Sequence, residues 1–284
     1  MVTLLDRNWR KDFANVLQST YHSLIISSPY ITPDGSEFIL SHLPPQVQGK
    51  LELRILTDFS PINICQGSTD PHALRTLATA FPRLSLIHLP KLHAKVYVSD
   101  TQAAIVTSAN LTFGGLVRNY EYGIKIKEPT LIRTIASDIT DFSNLGALIS
   151  IENLDRFCNI SSSVSQAYRK SQNSVIKSLR EEFKQQLLTA EDELIRMRLA
   201  GGSMHTVFEK TILYLLKRYG PQNTEELHLR IESIHPDLCD NSIDRIIDGK
   251  HFGKKWKHAV RTAQQQLKRK GFVVLNGRNW TLTK

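Results

Sequence analysis

The chain has 284 residues, of which 41% are hydrophobic and 22% charged, and a formal net charge of +9. This composition suits one or two folded domains and excludes a wholly disordered chain. No apolar run reaches the roughly 18 residues of a membrane span, and Asp6, Arg7, Arg10 and Lys11 interrupt the place of a signal peptide's apolar stretch, so a cytoplasmic protein is expected.

A helix is predicted over Asp6–Thr20, with Trp9, Phe13, Val16 and Leu17 on one face. Ser23–Ser27 reads as a buried strand, followed by a Pro29–Pro33 loop, a short helix over Glu37–His42 and an alternating strand over Leu51–Thr57. Asp70 is placed to cap a helix with Pro71 at its first position. Leu84–His88, His93–Val98, Ala104–Thr107 and Tyr122–Lys127 are further strands, rich in β-branched residues. The alternation predicts an α/β domain over residues 1–150. Cys65, Cys158 and Cys239 are scattered without a CxxC pair, which fits a reducing compartment and points to neither a disulfide framework nor a zinc site.

A connecting segment, 151–203, follows. Ile176, Leu179, Phe183, Leu187, Ala190, Leu194 and Met197 recur three or four residues apart, predicting one long amphipathic helix between about Asn153 and Ala200. It packs on its own domain or on a second copy. Gly201-Gly202-Ser203 is the clearest linker. Residues 204–284 then read as helices over Thr206–Tyr219, from Asn223 or Thr224, over Asn241–Asp248 and over Gly253–Lys270, the last ended by Gly271. Asn276-Gly277 marks a hairpin after them. Helices, a basic helix and a two-stranded wing predict a winged helix-turn-helix.

Between Gly249 and Lys284 there are ten Lys or Arg and no acidic residue. Such a block is a solvated face or a polyanion-binding surface, and its regular patterning with Trp256 and Trp280 favours the second. Lys254, Lys257, Arg261 and Lys268 fall on one helical stripe, with Lys255 and Arg269 beside them. The opposite stripe of Trp256, Val260, Ala263 and Leu267 faces a core, which makes Trp256 a packing residue. Among Gln264, Gln265 and Gln266, a glutamine can read an adenine edge, and a solvated run is equally compatible; Gln265 is kept as a DNA-contact candidate. Arg278 sits at the wing tip, in reach of phosphate or a minor groove.

The chemistry concentrates in HAKVYVSDTQAAIVTSANLTFGGLVRNYE, His93–Glu121. His93 and Lys95 are two apart on a predicted strand, so alternation points both to one side. Two potential cations there oppose each other unless an anion lies between them. Thr107, Ser108 and Asn110 follow the next strand and are donors suited to phosphoryl oxygens. Glu121 opens the strand after that, and a carboxylate can orient a histidine.

His93, Lys95 and Asp100 fit HxKx4D, and the run to Ser108 and Asn110 fits x6GSxN with Thr107 where the pattern has Gly. The string resembles the signature of the phospholipase D superfamily. The wider similarity spans roughly Met1–Gly146, with SSPYIT and NYEYG, and leaves the C-terminal region untouched. The resemblance implies a mixed sheet flanked by helices, and a histidine (His93 here) that attacks phosphorus to form a phosphohistidine. A second motif's histidine protonates the leaving oxygen and activates water. The family's lysine and asparagine, here Lys95 and Asn110, stabilise the equatorial oxygens without a divalent cation or other cofactor. Asp100 and Thr107 are expected to be structural. The histidines outside the motif have no Lys two residues on, so the second motif is expected from a second chain in a homodimer.

Three features favour a nucleic-acid substrate. The single motif in a compact domain resembles the superfamily's small bacterial nucleases and its metal-independent restriction endonuclease. There is no membrane segment or lipid-anchoring helix. The basic tail resembles winged-helix modules attached to some restriction enzymes. The leading expectation is a metal-independent DNA endonuclease of restriction or defence type, with duplex DNA favoured. The alternatives are a phospholipid-acting enzyme on anionic membranes, an RNA-directed nuclease and a non-catalytic binding module. A targeting or regulatory protein is left open as a further partner.

Overall fold

The structure is a computed structural model that describes residues 1–172, 181–190, 194, 203–247 and 250–283. It divides into two units, Met1–Met197 and Arg198–Lys284.

The first unit is built on strands β1 (Val2–Leu5), β2 (Ser23–Ser27), β3 (Glu52–Thr57), β4 (Leu84–His88), β5 (Val96–Ser99), β6 (Ala103–Thr107), β7 (Gly123–Ile126) and β8 (Ala147–Ile149). They form one mixed sheet in the order β1-β7-β6-β5-β2-β3-β4-β8, in which only β2-β3 and β3-β4 run parallel. Helices α1 (Trp9–Gln18), α2 (Pro33–His42), α4 (Pro71–Ala80) and α6 (Ile151–Gln172) share one apolar core. Trp9, Phe13, Phe38, Leu74 and Phe157 meet Leu24, Ile26, Leu53, Ile55 and Tyr97 there. The strand alternation turns Arg54 to the other face, where its guanidinium donates to Thr140 of α5 (Pro129–Leu145) at 2.9 Å. A short α3 (Pro61–Cys65) packs beside α6.

Local signals account for most boundaries. Asp70 accepts the His72 and Ala73 amides, and Pro71 opens α4, as the sequence predicts. The buried face of α1 is Trp9, Phe13, Val16 and Leu17. Three expectations change. The strand predicted from His93 begins at Val96, and α2 starts at Pro33, four residues earlier than predicted. The long helix does not run straight. Residues fifteen apart on a straight helix lie roughly 22 Å apart, yet the Tyr168 and Phe183 rings are 5.3 Å apart. The helical stretch 181–190 therefore packs back on α6, with Ala190 buried beside Val164. An apolar stripe of helical period looks the same in one helix or in two that fold together. Ile176, Leu179, Met197, Gly201 and Gly202 lie outside the described residues.

The second unit holds α7 (Met204–Tyr219), β9 (Gln222–Asn223), α8 (Thr224–Ile234), a hairpin of β10 (Asp244–Ile247) and β11 (Lys250–Lys254), α9 (Lys255–Arg269), β12 (Val273–Asn276) and β13 (Asn279–Leu282). β12, β13 and β9 form a three-stranded antiparallel sheet. The predicted helix Asn241–Asp248 is instead strand β10. The β-branched pair Ile246-Ile247 suits a strand, and Gly253, at φ +84°, stops a helix from starting before Lys255. Lys254 consequently leaves the helical stripe and pairs with Asp244 at 2.8 Å. Asn276 pairs with Asn279, so the hairpin loop is Gly277-Arg278, with Gly277 at φ +62°, rather than Asn276-Gly277.

Asn223 and Glu226 form a reciprocal capping box at the start of α8. Trp256, Val260, Ala263 and Leu267 of α9 are buried. Trp256 donates its indole N–H to Asn241 at 3.0 Å, which makes it a packing residue. Gln264 is also buried and donates to Thr224 at 3.2 Å, which removes it from the solvated run. His228 lies edge-on to Trp256 with ring centroids 5.4 Å apart. Burial, then the nearby Arg261 and Lys257, push its pKa down from 6.5 to about 4. The unfolded chain therefore takes up this proton first. The stability of this unit is expected to be flat above pH 6.5 and to fall as the pH drops from 6.5 towards 4. Amide hydrogen exchange of α9 across that range checks this, and His228→Asn flattens the dependence.

Candidate active site

The predicted motif gathers around the entry to β5 and the exit from β6. His93 lies on an extended segment leading into β5, with its imidazole exposed and, among the described residues, without a hydrogen-bond partner. Lys95 is buried, and its ammonium donates back to the His93 carbonyl at 2.8 Å. Its own carbonyl accepts from the Thr107 amide at 3.1 Å, which extends the β5-β6 ladder beneath the motif. Burial pushes the Lys95 pKa below the ordinary lysine value, against the opposing pull of the Glu121 charge. A cation held this way is fixed in place and largely shielded from water, which suits it to an anionic ligand.

Glu121 does not orient His93. Its carboxylate accepts from the Ser108 hydroxyl, and from Asn119 at 3.1 Å. Ser108 also accepts the Tyr122 amide at 3.2 Å. Glu121 is consumed by this local network because β7 begins at Gly123 and leaves residues 119–122 as a loop folded over the end of β6. Thr107 ties the same loop down: its hydroxyl donates to the Tyr122 carbonyl at 3.1 Å and accepts the Ala109 amide at 3.3 Å. Asn110 is half-buried; its side-chain oxygen is a buried acceptor without a hydrogen-bond partner, and its NH2, the group able to donate to an anion, has no partner among the described residues. Asp100 lies at φ +46° and accepts the Tyr21, His22 and Ser23 amides at 3.0, 3.0 and 2.7 Å. It anchors the β5-β6 turn to the start of β2 and points at no ligand.

Several positioning residues escaped the motif reading. Ser27 donates to the Ala94 carbonyl at 3.0 Å, between His93 and Lys95. Ser28 accepts the Leu111 amide at 3.0 Å, just after Asn110. Tyr97 donates to the Ala109 carbonyl at 2.9 Å from full burial. Asp58 accepts the Lys91 amide at 3.1 Å, where Lys91 adopts φ +60° in the loop before His93. The adjacent serines ending β2 were the visible signal. Gly115 supports Asn110 from behind: a Cβ there stands 2.2 Å from the Asn110 carbonyl oxygen. Among the described residues, no group of three His, Cys, Asp or Glu side chains is placed to hold a metal ion.

In the second unit, Arg261, Gln265 and Arg278 line one cavity of about 560 Å³ together with Thr224 and Glu225. Lys255 lines a different one beside His205 and His258. Lys268 and Arg269 are exposed and line neither, while Lys257 lies with its ammonium 5.4 Å from the centre of the Trp256 ring.

Two outcomes follow. Glu121→Gln removes the charge that sustains the Lys95 ammonium, so the Lys95 pKa falls further; a titration of its ¹³Cε resonance checks this. Gly115→Ala forces Asn110 to move and is expected to cost about 1–3 kcal/mol, read from urea unfolding of the whole chain.

Residues 13–142 match the family model described as cardiolipin synthase, PLD-like domain. No curated protein matches the chain. Among solved structures, Nuc of Salmonella typhimurium, described as a phospholipase D family member, is 18% identical, with a TM-score of 0.42 over 51% of this chain and 95% of that one. NucT of Helicobacter pylori is 16% identical, with a TM-score of 0.40 over 50% of this chain and 94% of that one. The phosphatidylserine synthase of Haemophilus influenzae is 12% identical, with a TM-score of 0.43 over 94% of this chain and 68% of that one. Residues 13–142 of the chain are thus similar to the PLD-like domain that this family model describes.

Proposed function

We propose that the protein is a metal-independent DNA endonuclease acting through a covalent phosphohistidine in a homodimeric site. The observation that carries the reading is the exposed, unpartnered His93 imidazole beside the buried Lys95 ammonium. An imidazole nitrogen of His93 attacks phosphorus and the bond to the leaving oxygen breaks. That oxygen takes a proton from the partner subunit's His93. The same imidazole then removes a proton from water, which attacks the phosphohistidine and frees the phosphate and His93. Lys95 and Asn110 face the charge that develops on the non-bridging oxygens. Ser108 holds Glu121 and the 119–122 loop in place.

The order α7-β9-α8-β10-β11-α9-β12-β13, a winged-helix order with a hairpin inserted between α8 and α9, supports a winged helix in the second unit, with α9 as recognition helix and Gly277-Arg278 as wing tip. Arg261, Gln265 and Arg278 share one concave face and are the residues assigned to DNA, with Lys255, Lys268 and Arg269 on the flanks. A restriction or other defence role in the cytoplasm fits this pairing of a nuclease with a DNA-docking module. A phospholipid substrate is the second reading, favoured by the description of the matched family. The apolar stripe of α9 is buried and is not available to insert into a bilayer.

Cleavage of plasmid and linear DNA in excess EDTA tests the proposal. The wild-type chain is expected to cut, and His93→Ala to cut more than about 10³-fold more slowly. Arg261→Ala with Arg278→Ala lowers duplex affinity and reduces the log–log salt slope by about 0.9 for each phosphate no longer neutralised. A strict requirement for a divalent cation, activity from a monomer, or turnover of anionic phospholipid without DNA cleavage each overturns the proposal.

A further inference from the structure

The first unit has a basic feature of its own, at the start of helix α1. Arg7, Arg10 and Lys11 line an open groove of about 910 Å³ floored by Phe38 and Leu116. Arg7 sits in the turn before α1 and Arg10 and Lys11 in its first turn, and all three face the groove. None of the three has a carboxylate partner among the described residues. The nearby acids are engaged elsewhere: Asp6 accepts the Asn8 amide at 2.8 Å, and Asp12 pairs with Lys125. The groove therefore carries one sign of charge.

The groove is tied to the site by covalent and packed connections. The Trp9 indole donates to the Gly115 carbonyl at 2.8 Å, which fixes α1 against the turn that backs Asn110. The Arg7 guanidinium lies over the Tyr120 ring at 4.7 Å. Tyr120 is 85% exposed, so Arg7 covers one face of the ring and the other meets solvent. Tyr120 directly precedes Glu121, in the loop that closes over Ser108. One short segment thus touches a groove-lining arginine through Tyr120 and the Ser108 hydroxyl through Glu121.

Building on the nuclease reading, we propose that this groove holds an unpaired stretch of the nucleic-acid substrate beside the scissile phosphate. Arg7, Arg10 and Lys11 take successive phosphates, and Tyr120 stacks an unpaired base. An open aromatic face next to unpaired cations suits single strands, because every base has a π-face to stack and a duplex leaves none free. A bilayer surface is a poorer fit: of the apolar lining residues, Phe38 and Leu116 are buried in the floor of the recess, which leaves Val117 as the exposed large one.

The test uses the full chain with His93→Ala, which binds without cutting. A single-stranded oligonucleotide carrying 5-iodouracil is irradiated and the adduct mapped by mass spectrometry; Tyr120 is the expected site. By fluorescence anisotropy at about 0.1 M salt, Arg7→Ala/Arg10→Ala/Lys11→Ala weakens single-strand binding at least ten-fold. It also lowers the log–log salt slope by about 2, from roughly 0.7 per phosphate. Duplex affinity is unchanged. Tyr120→Ala costs about five-fold or more in single-strand affinity and Tyr120→Phe restores it.

Unchanged single-strand binding in the triple variant overturns the proposal. So does loss of binding to phosphatidylglycerol vesicles with oligonucleotide binding intact, or dissociation of a dimer by the Tyr120→Ala or triple variant in light scattering. The nuclease reading fails separately. Single-strand binding that depends on the groove, without any cleavage by the unaltered chain in EDTA, sinks that reading and spares the groove; normal cleavage with binding unaffected by the groove variants does the reverse.

Discussion

Two neighbouring serines at the end of β2 hold the candidate site together. Ser27 takes hold of the backbone between His93 and Lys95, and Ser28 takes hold of the backbone just past Asn110. These two segments lie seventeen residues apart in sequence and reach the same place only because β2, β5 and β6 are neighbours in the sheet. A backbone carbonyl or amide buried without a partner is costly, so the serines both satisfy those groups and fix the spacing of the motif's halves. Asp58 and Tyr97 extend the same principle to the loop before His93 and to the carbonyl of Ala109.

Electrostatics within that frame follow from burial. Lys95 is desolvated and has the Glu121 charge nearby, while the Glu121 carboxylate itself is spent on Ser108 and Asn119. The result is a buried ammonium bonded to the His93 backbone, with the Glu121 charge nearby and the His93 imidazole exposed to solvent. An anion placed against this ammonium is attracted to it, and burial strengthens that attraction relative to water.

The second unit solves a different problem. Its helices and three-stranded sheet bury Trp256 and Trp280, and its cations are left outside by default. Their placement is uneven: Arg261, Gln265 and Arg278 converge on one concavity, Lys254 is neutralised by Asp244, and Lys257 lies beside the Trp256 ring. A stripe of positive charge in the primary structure is therefore not one surface in the folded chain. In the same way, the unpaired cations of α1 draw no notice from composition, since Asp6 and Asp12 stand among them; only hydrogen bonds and ion pairs made elsewhere leave Arg7, Arg10 and Lys11 uncompensated.

The sequence by itself determined most of the helix and strand alternation between α1 and β7, though not β1, α3, α5 or β8, together with the buried face of α1, the Asp70 cap and the spacing of His93, Lys95, Ser108 and Asn110, because those depend on local periodicity and on residue types within a few positions. It also determined that the apolar stripe of α9 is core. Only tertiary structure decided the partner of Glu121, the place of Lys254, the fold-back of the amphipathic segment onto α6 and the roles of Ser27, Ser28 and Gly115. Each of these rests on interactions between segments far apart in the chain. Period and composition describe which face is apolar, and they carry no information about which distant group that face will meet.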